Sequence, residues 1–141
     1  VLFRSGYFRT GDLGRKFADG SLEIVGRAKD VIITGGANVN PLEVEAALDA
    51  CPGVTESAVV GVPHPDYGEE VVAFIVPRRQ AGETIDKNNY FNGLSARLKR
   101  ELALYKVPQR MILRAELPRN SMGKIQKNLL RTDPELLAEI G

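Results

Sequence analysis

A lysine carried by a polar, glycine-containing loop can meet a phosphate or a carboxylate as a point charge, and Pro118-Arg119-Asn120-Ser121-Met122-Gly123-Lys124 has that make-up. Lys124 is therefore a candidate for anion chemistry, although a solvated loop lysine has the same local sequence. Asp12, next to Gly11 in Tyr7-Phe8-Arg9-Thr10-Gly11-Asp12-Leu13, offers a carboxylate of the kind that binds the paired hydroxyls of a ribose; an Asp beside Gly also forms turns. Gly26-Arg27 precedes a short apolar run and Thr34-Gly35-Gly36 follows it. Two glycines there form a turn or bulge, or let a thin ligand lie against the backbone. His64, between Pro63 and Pro65, reads as a turn residue rather than a ligand. Lys99-Arg100 and the group Lys124, Lys127 and Arg131 read as solvated faces, with a phosphorylated ligand as the alternative.

Composition narrows what these residues can serve. The chain of 141 residues is long enough for one domain, or for a small domain carrying a piece of another. Lys+Arg 19 against Asp+Glu 18 gives a net charge of +1, so no global field recommends nucleic acid or an anionic membrane as partner. Cys51 is the only cysteine and His64 the only histidine, which excludes an internal disulfide framework and a Cys- or His-rich metal site. The longest apolar runs, such as Val71 to Pro77, are too short to span a bilayer, and no basic leader precedes an apolar stretch, so the cytoplasm is the expected compartment. Val1 to Ser5 announce no element, and a first residue other than Met suggests a fragment.

The elements that must position the candidates follow from periodicity and from Gly and Pro, with no internal repeat or low-complexity tract. Residues 7–26 read as a half-exposed hairpin turning at Asp19-Gly20, and Gly26 to Asp30 is a polar boundary. Val31-Ile32-Ile33 begins a buried strand. Asn40-Pro41-Leu42-Glu43 predicts a helix start with Asn40 as cap, Pro41 at the first position and Glu43 reaching back; the helix buries Val44, Ala47, Leu48 and Cys51 and stops at Pro52-Gly53. Residues 58–62 and 71–76 are continuous apolar strands, antiparallel across a short loop. A second helix from about Asp86 presents Phe91, Leu94, Leu98, Leu102 and Tyr105 and ends at Pro108. Met111 to Leu113 is a strand, Ile125 to Arg131 a short helix, and Glu135 to Ile140 a terminal one. The fold class is α+β, a small mostly antiparallel sheet with helices packed on it, preceded by a short β-hairpin.

Taken in order, three segments carry a family resemblance: Tyr7 to Leu13, Gly26-Arg27-Ala28-Lys29-Asp30 through Thr34-Gly35-Gly36 to Glu45, and Pro118 to Ile125. The chain resembles the C-terminal part of the adenylate-forming superfamily, which includes acyl-CoA synthetases, peptide-synthetase adenylation domains and luciferases; its wording is most like malonyl-CoA synthetases. The resemblance implies activation of a small carboxylic acid with ATP to an acyl-adenylate, then transfer to CoA. Asp12 would bind the ribose, Arg27 would support the nucleotide, and Lys124 would bridge the carboxylate and the α-phosphate. Gly35 and Gly36 would line the path of CoA. Lys29 falls at the family's hinge, where many members have Asp, and a rotation there would exchange Lys124 for the Gly35-Gly36 strand between half-reactions.

The same resemblance implies that residues 1–28 are the edge of a larger N-terminal domain and 29–141 a mobile C-terminal domain whose partner is that N-terminal domain. The phosphate loop, the Mg²⁺ ligand and the acyl pocket would lie upstream, and the chain alone would not turn over. A free-standing, non-catalytic binding module with the same fold is the rival; Asp12, Arg27 and Lys124 together argue against it. An RNA-binding sheet would need stacking aromatics, and the two apolar strands offer Phe74 alone.

Overall fold

Residues 3, 4 and 6–138 are described by the computed structural model. Phe3–Arg4 (β1) pairs antiparallel with Tyr7–Phe8 (β2), so an element lies where the sequence announced none. Gly6, at φ +80°, lets the chain reverse there. Asp12–Lys16 (β3) and Leu22–Arg27 (β4) form the expected hairpin, with a register shift between Leu13 and Gly14. At its tip the Asp19 carboxylate accepts from the Ser21 amide at 2.9 Å and the Ser21 hydroxyl at 2.6 Å, bonds that hold its pKa below the ordinary carboxylate value. Leu22 and Ile24 are exposed rather than half-exposed.

A 3-10 turn at Ala28–Asp30 leads into Ile32–Thr34 (β5), which folds back on Ala37–Val39 (β6). Only Ile32 and Thr34 of β5 are buried; Ile33 points to solvent, so this strand alternates where a wholly buried one was expected. Pro41–Asp49 (α1) starts as its sequence predicts, with the Asn40 Oδ1 accepting from the Leu42 amide at 3.1 Å. Glu43 does not reach back to the cap. Its two carboxylate oxygens each lie 3.0 Å from Lys106 Nζ, a stronger, charged partner.

Val54–His64 (β7) and Gly68–Pro77 (β8) pair antiparallel from Val54 opposite Pro77 to His64 opposite Gly68. Lys87–Glu101 (α2) follows, capped by Asp86, and then Arg110–Leu113 (β9), which runs parallel to β8. The sheet order is β6-β5-β8-β7, with β9 on β8 beyond the single Thr34–Gly68 pair that joins β5 to it. Two short helices, Lys127–Leu130 (α3) and Pro134–Ala138 (α4), complete the described chain. The last two positions of the terminal helix read from the sequence, 139 and 140, lie outside the described residues.

Both faces of the central strands are buried, which is why their sequences run apolar without alternation. Val59, Val71, Ala73 and Ile75 face a core shared with Val44 and Leu48 of α1 and Leu94 and Leu98 of α2. Their neighbours Ala58, Val60, Val62, Val72 and Phe74 face the opposite way, onto Ile112, Leu117, Leu130 and Leu136. The second helix ends at Glu101, earlier than Pro108 predicted. Leu102 is already extended (φ −118°, ψ 150°) and Tyr105 is exposed in a 3-10 turn at Leu104–Lys106, because burial of Val107 and Pro108 requires the chain to leave the helix first.

Asn40 ties the hairpin to the sheet domain. Besides capping α1, its Nδ2 donates to the Val25 carbonyl at 2.7 Å, and Gly26 makes room for it, since a Cβ there would lie 3.0 Å from Asn40 Oδ1. Asn40→Ala is expected to lower the unfolding free energy by about 1 kcal/mol through the lost cap, measured by urea titration. It should also quicken proteolysis within residues 17–28, with amide protection of β7 and β8 unchanged; unaltered proteolysis would show that Asn40 does not hold the hairpin.

Candidate functional site

Asp12 and Arg27 are opposite each other on β3 and β4, and the register of that hairpin makes them an ion pair, Arg27 Nε to Asp12 Oδ1 at 3.0 Å. Arg27 Nη2 also donates to the Thr10 carbonyl at 3.2 Å, and the Asp12 amide to Thr10 Oγ1 at 3.2 Å. Asp12 is thus oriented by its own hairpin, and Arg27 stands at the end of β4 where the chain enters the 3-10 turn that holds Lys29.

Arg27, Lys29 and Asp30 form one wall of an open cleft of about 540 Å³. The facing wall comes from the other end of the chain: Asn120, Lys124, Lys127 and Arg131. Three of the residues nominated from the sequence, Arg27, Lys29 and Lys124, therefore share one cleft, with Asp12 held at its edge by Arg27. The cleft is strongly cationic, although Lys127 is committed to Glu45 at 2.6 Å, and Glu45 in turn accepts from the Val59 amide at 2.9 Å. An anion with several oxygens is the ligand such a wall suits.

Gly35 and Gly36 lie elsewhere, outside the residues that line this cleft. Thr34 faces Ala37, so the two glycines are the whole of a two-residue hairpin turn, with φ of +57° and +81°. That pair of positive angles is the first reason for glycine at both positions. A Cβ at either would meet nothing within 4 Å, so the turn faces open space and leaves room for a thin ligand. The Gly35 amide donates to the Tyr67 carbonyl at 2.9 Å, which fastens the turn to the β7–β8 loop. Beside that loop His64 Nδ1 accepts from the amides of Asp66 and Tyr67 at 3.1 and 3.3 Å, and its ring stacks on Tyr67 at 4.4 Å. His64 is the last residue of β7 rather than part of the turn its sequence context suggested, and its ring holds the turn that follows.

Other reactive groups are spent on structure. Burial pushes the Cys51 thiol pKa up, and its Sγ donates to the Ala47 carbonyl, so it is no ready nucleophile. Lys99 and Arg100 are exposed at the end of α2 and do not line the cleft. Among the described residues no group of three or more His, Cys, Asp or Glu could hold a metal ion. No helix among them is long and apolar enough to cross a membrane. Sequence reasoning missed the pairing of Glu56 with Arg119, 63 positions apart, for which no local signal exists. It also missed Asn120, which lines the cleft and whose side-chain Oδ1 accepts from the Met122 and Lys124 amides; its Asn-x-x-Gly spacing to Gly123 was a usable sign of that turn.

A small α+β domain that offers a lysine on a short turn beside a cationic cleft is the class this geometry defines. Comparison with known proteins gives it a family: residues 43–124 match the AMP-binding enzyme C-terminal domain. The chain is 48% identical over 122 residues, 86% of its length, to a sulfoacetate–CoA ligase of Cupriavidus necator, and covers 23% of that ligase. It is 38% identical over 128 residues, 91% of its length, to an oxalate–CoA ligase of Arabidopsis thaliana, covering 24% of it. The crystal structure of ATP-bound MatB from Rhodopseudomonas palustris superposes with a TM-score of 0.80 at 49% identity, over 93% of this chain and 25% of that one. The chain belongs to the AMP-binding enzyme C-terminal domain family, and it spans about a quarter of the length of the relatives it matches.

The turn geometry gives a paired test. Gly36→Ala is expected to lower stability by about 1–2 kcal/mol, the cost of a Cβ in the left-handed region. Gly93→Ala, in exposed helical backbone with open space around it, should raise it by up to about 1 kcal/mol. Urea unfolding of the two variants checks both signs.

Proposed function

We propose that the chain is the C-terminal part of an AMP-forming acyl-CoA synthetase, with Lys124 the cation of the adenylation step and the Gly35-Gly36 turn the backbone that borders CoA in the second. The observation that carries this reading is the separation of the two loci on one sheet: Lys124 shares a cleft with Arg27 and Lys29, while the glycine turn opens onto free space outside it. Carboxylate and α-phosphate are both anions, and a cation between them offsets their repulsion and the charge that develops at phosphorus. A thiol must then reach the same carbonyl, so the lysine has to leave.

In this reading residues 29–141 move as a unit against a larger N-terminal domain that includes residues 1–28, about a hinge at Lys29. Asp12 holds the ribose and Arg27 supports the nucleotide. ATP and CoA are substrates, with Mg²⁺ held by residues of the upstream domain. The acid is a small one with a second acidic group, malonate first. Its support is the likeness to MatB together with the sulfoacetate and oxalate ligases among the relatives. The cytoplasm suits an enzyme that uses both ATP and CoA.

In the full-length enzyme, Lys124→Ala should slow acid-dependent ATP–pyrophosphate exchange by about 10²-fold or more. CoA transfer from supplied acyl-adenylate should be largely spared. Equal losses in the two assays would refute the role of Lys124. No exchange with any of malonate, oxalate or sulfoacetate in the wild-type protein would favour the non-catalytic module.

Lys29 sits inside the 3-10 turn between Arg27 and Val31, both of them extended. Lys29→Pro fixes φ there and also biases Ala28 away from helical angles. It should leave exchange in place and abolish CoA transfer, while Lys29→Ala is mild. If Lys29→Pro folds and supports both half-reactions, the hinge and the boundary at 28/29 are elsewhere.

A further inference from the structure

Residues 118–126 make a small hairpin of their own. Gln126 donates to the Pro118 carbonyl at 2.8 Å, Arg119 and Ile125 form a bridge, and the Asn120 amide donates to the Lys124 carbonyl at 2.9 Å. The Asn120 carbonyl accepts from Gly123 at 3.0 Å, and its side-chain Oδ1 accepts from the amides of Met122 and Lys124 at 2.9 and 3.0 Å. With Gly123 at φ +82°, the turn has one defined shape.

These bonds fix the shape of the turn but not its direction relative to the sheet. At its base Ile125 packs against the second core, a contact that is apolar and non-directional. Arg119 supplies direction. Its Nη1 donates to the Gly123 carbonyl at 2.8 Å, immediately before Lys124, and its Nη2 pairs with the Glu56 carboxylate on β7. A planar guanidinium presents these donors at fixed angles, so one side chain joins the tip of the turn to a strand of the rigid sheet.

We propose that Glu56 and Arg119 are positioning residues for Lys124: through the Gly123 carbonyl they set where the lysine of the turn points. The proposal rests on the adenylation role given to Lys124 above. The pair is partly exposed, Arg119 at 44% and Glu56 at 28% of the side chain, so it adds little to the stability of the fold. Its effect lies in aim, and misplacing a catalytic group by about 1 Å can cost about 10²-fold in rate.

The test is a double-mutant cycle in the full-length enzyme, read by acid-dependent ATP–pyrophosphate exchange and by CoA transfer from supplied acyl-adenylate. Glu56→Ala and Arg119→Lys should each lower kcat for exchange by about tenfold, with KM for ATP changed less than about twofold. Unchanged CoA transfer in the same preparations shows that the variants are folded. Glu56→Gln, which still accepts a hydrogen bond from Arg119, should recover most of the loss. In a Lys124→Ala background, Glu56→Ala should have no further effect on the residual exchange. The proposal is overturned if Glu56→Ala leaves exchange intact, if it slows both half-reactions alike, if Glu56→Gln is no better than Glu56→Ala, or if the losses multiply with Lys124→Ala. If Lys124→Ala itself leaves exchange intact, the adenylation role falls. A severe Lys124→Ala defect with a silent Glu56→Ala sinks only the positioning argument.

Discussion

The β7–β8 pair depends on being covered on both sides, and most of the fold answers to that requirement. Strands with Val59, Val71, Ala73 and Ile75 on one face and Val60, Val72 and Phe74 on the other cannot stand with either face in water. One face recruits α1 and α2. The other recruits Leu117, α3 and α4, which brings the end of the chain back across the sheet. The segment 118–126 is thereby strung between two points of the second core, Leu117 and Leu130. Lys124 reaches the neighbourhood of Arg27 and Lys29 because the uncovered face of the sheet had to be closed.

The same constraint separates the two loops that the resemblance singled out. The glycine turn is fastened to the loop end of the β7–β8 hairpin through the Tyr67 carbonyl, whereas Glu56, which pairs with Arg119 of the lysine turn, lies near the start of β7, toward the other end of the strand. Both loops are thus mounted on one sheet, toward opposite ends of β7. In the proposed reading, a body that carries both would present them to the N-terminal domain by turning as a whole.

Much of this was legible in the sequence, for identifiable reasons. The continuous apolar runs at 58–62 and 71–76 announced strands buried on two faces, and Asn40-Pro41 announced the start of α1, because burial and capping are local in their residue requirements. The family likeness rested on three motifs and was carried by their order. What stayed hidden was set by partners far away in the chain. Glu43 had the right spacing for a capping box, but Lys106 took its carboxylate. Leu102 and Tyr105 continued the helical period, yet the need to bury Val107 ended the helix. Ile33 looked buried by composition and is exposed, since β5 is covered on one face only. Arg27, Lys29 and Lys124 of the cleft could be nominated by type and motif, but the Glu56–Arg119 pair outside its lining could not, because neither residue carries a local mark of the other.

The two hairpins at the start of the chain differ from the rest in having almost no core. Tyr7, Leu22 and Ile24 are 79%, 72% and 67% exposed, on two-stranded sheets whose outer edges have no strand beside them among the described residues. Two strands on their own are marginal in water, and unpaired edges with apolar side chains invite further strands. In the proposed full-length enzyme these edges and side chains are where the rest of the N-terminal domain would pack. At high concentration these 141 residues taken by themselves would tend to self-associate through these strands.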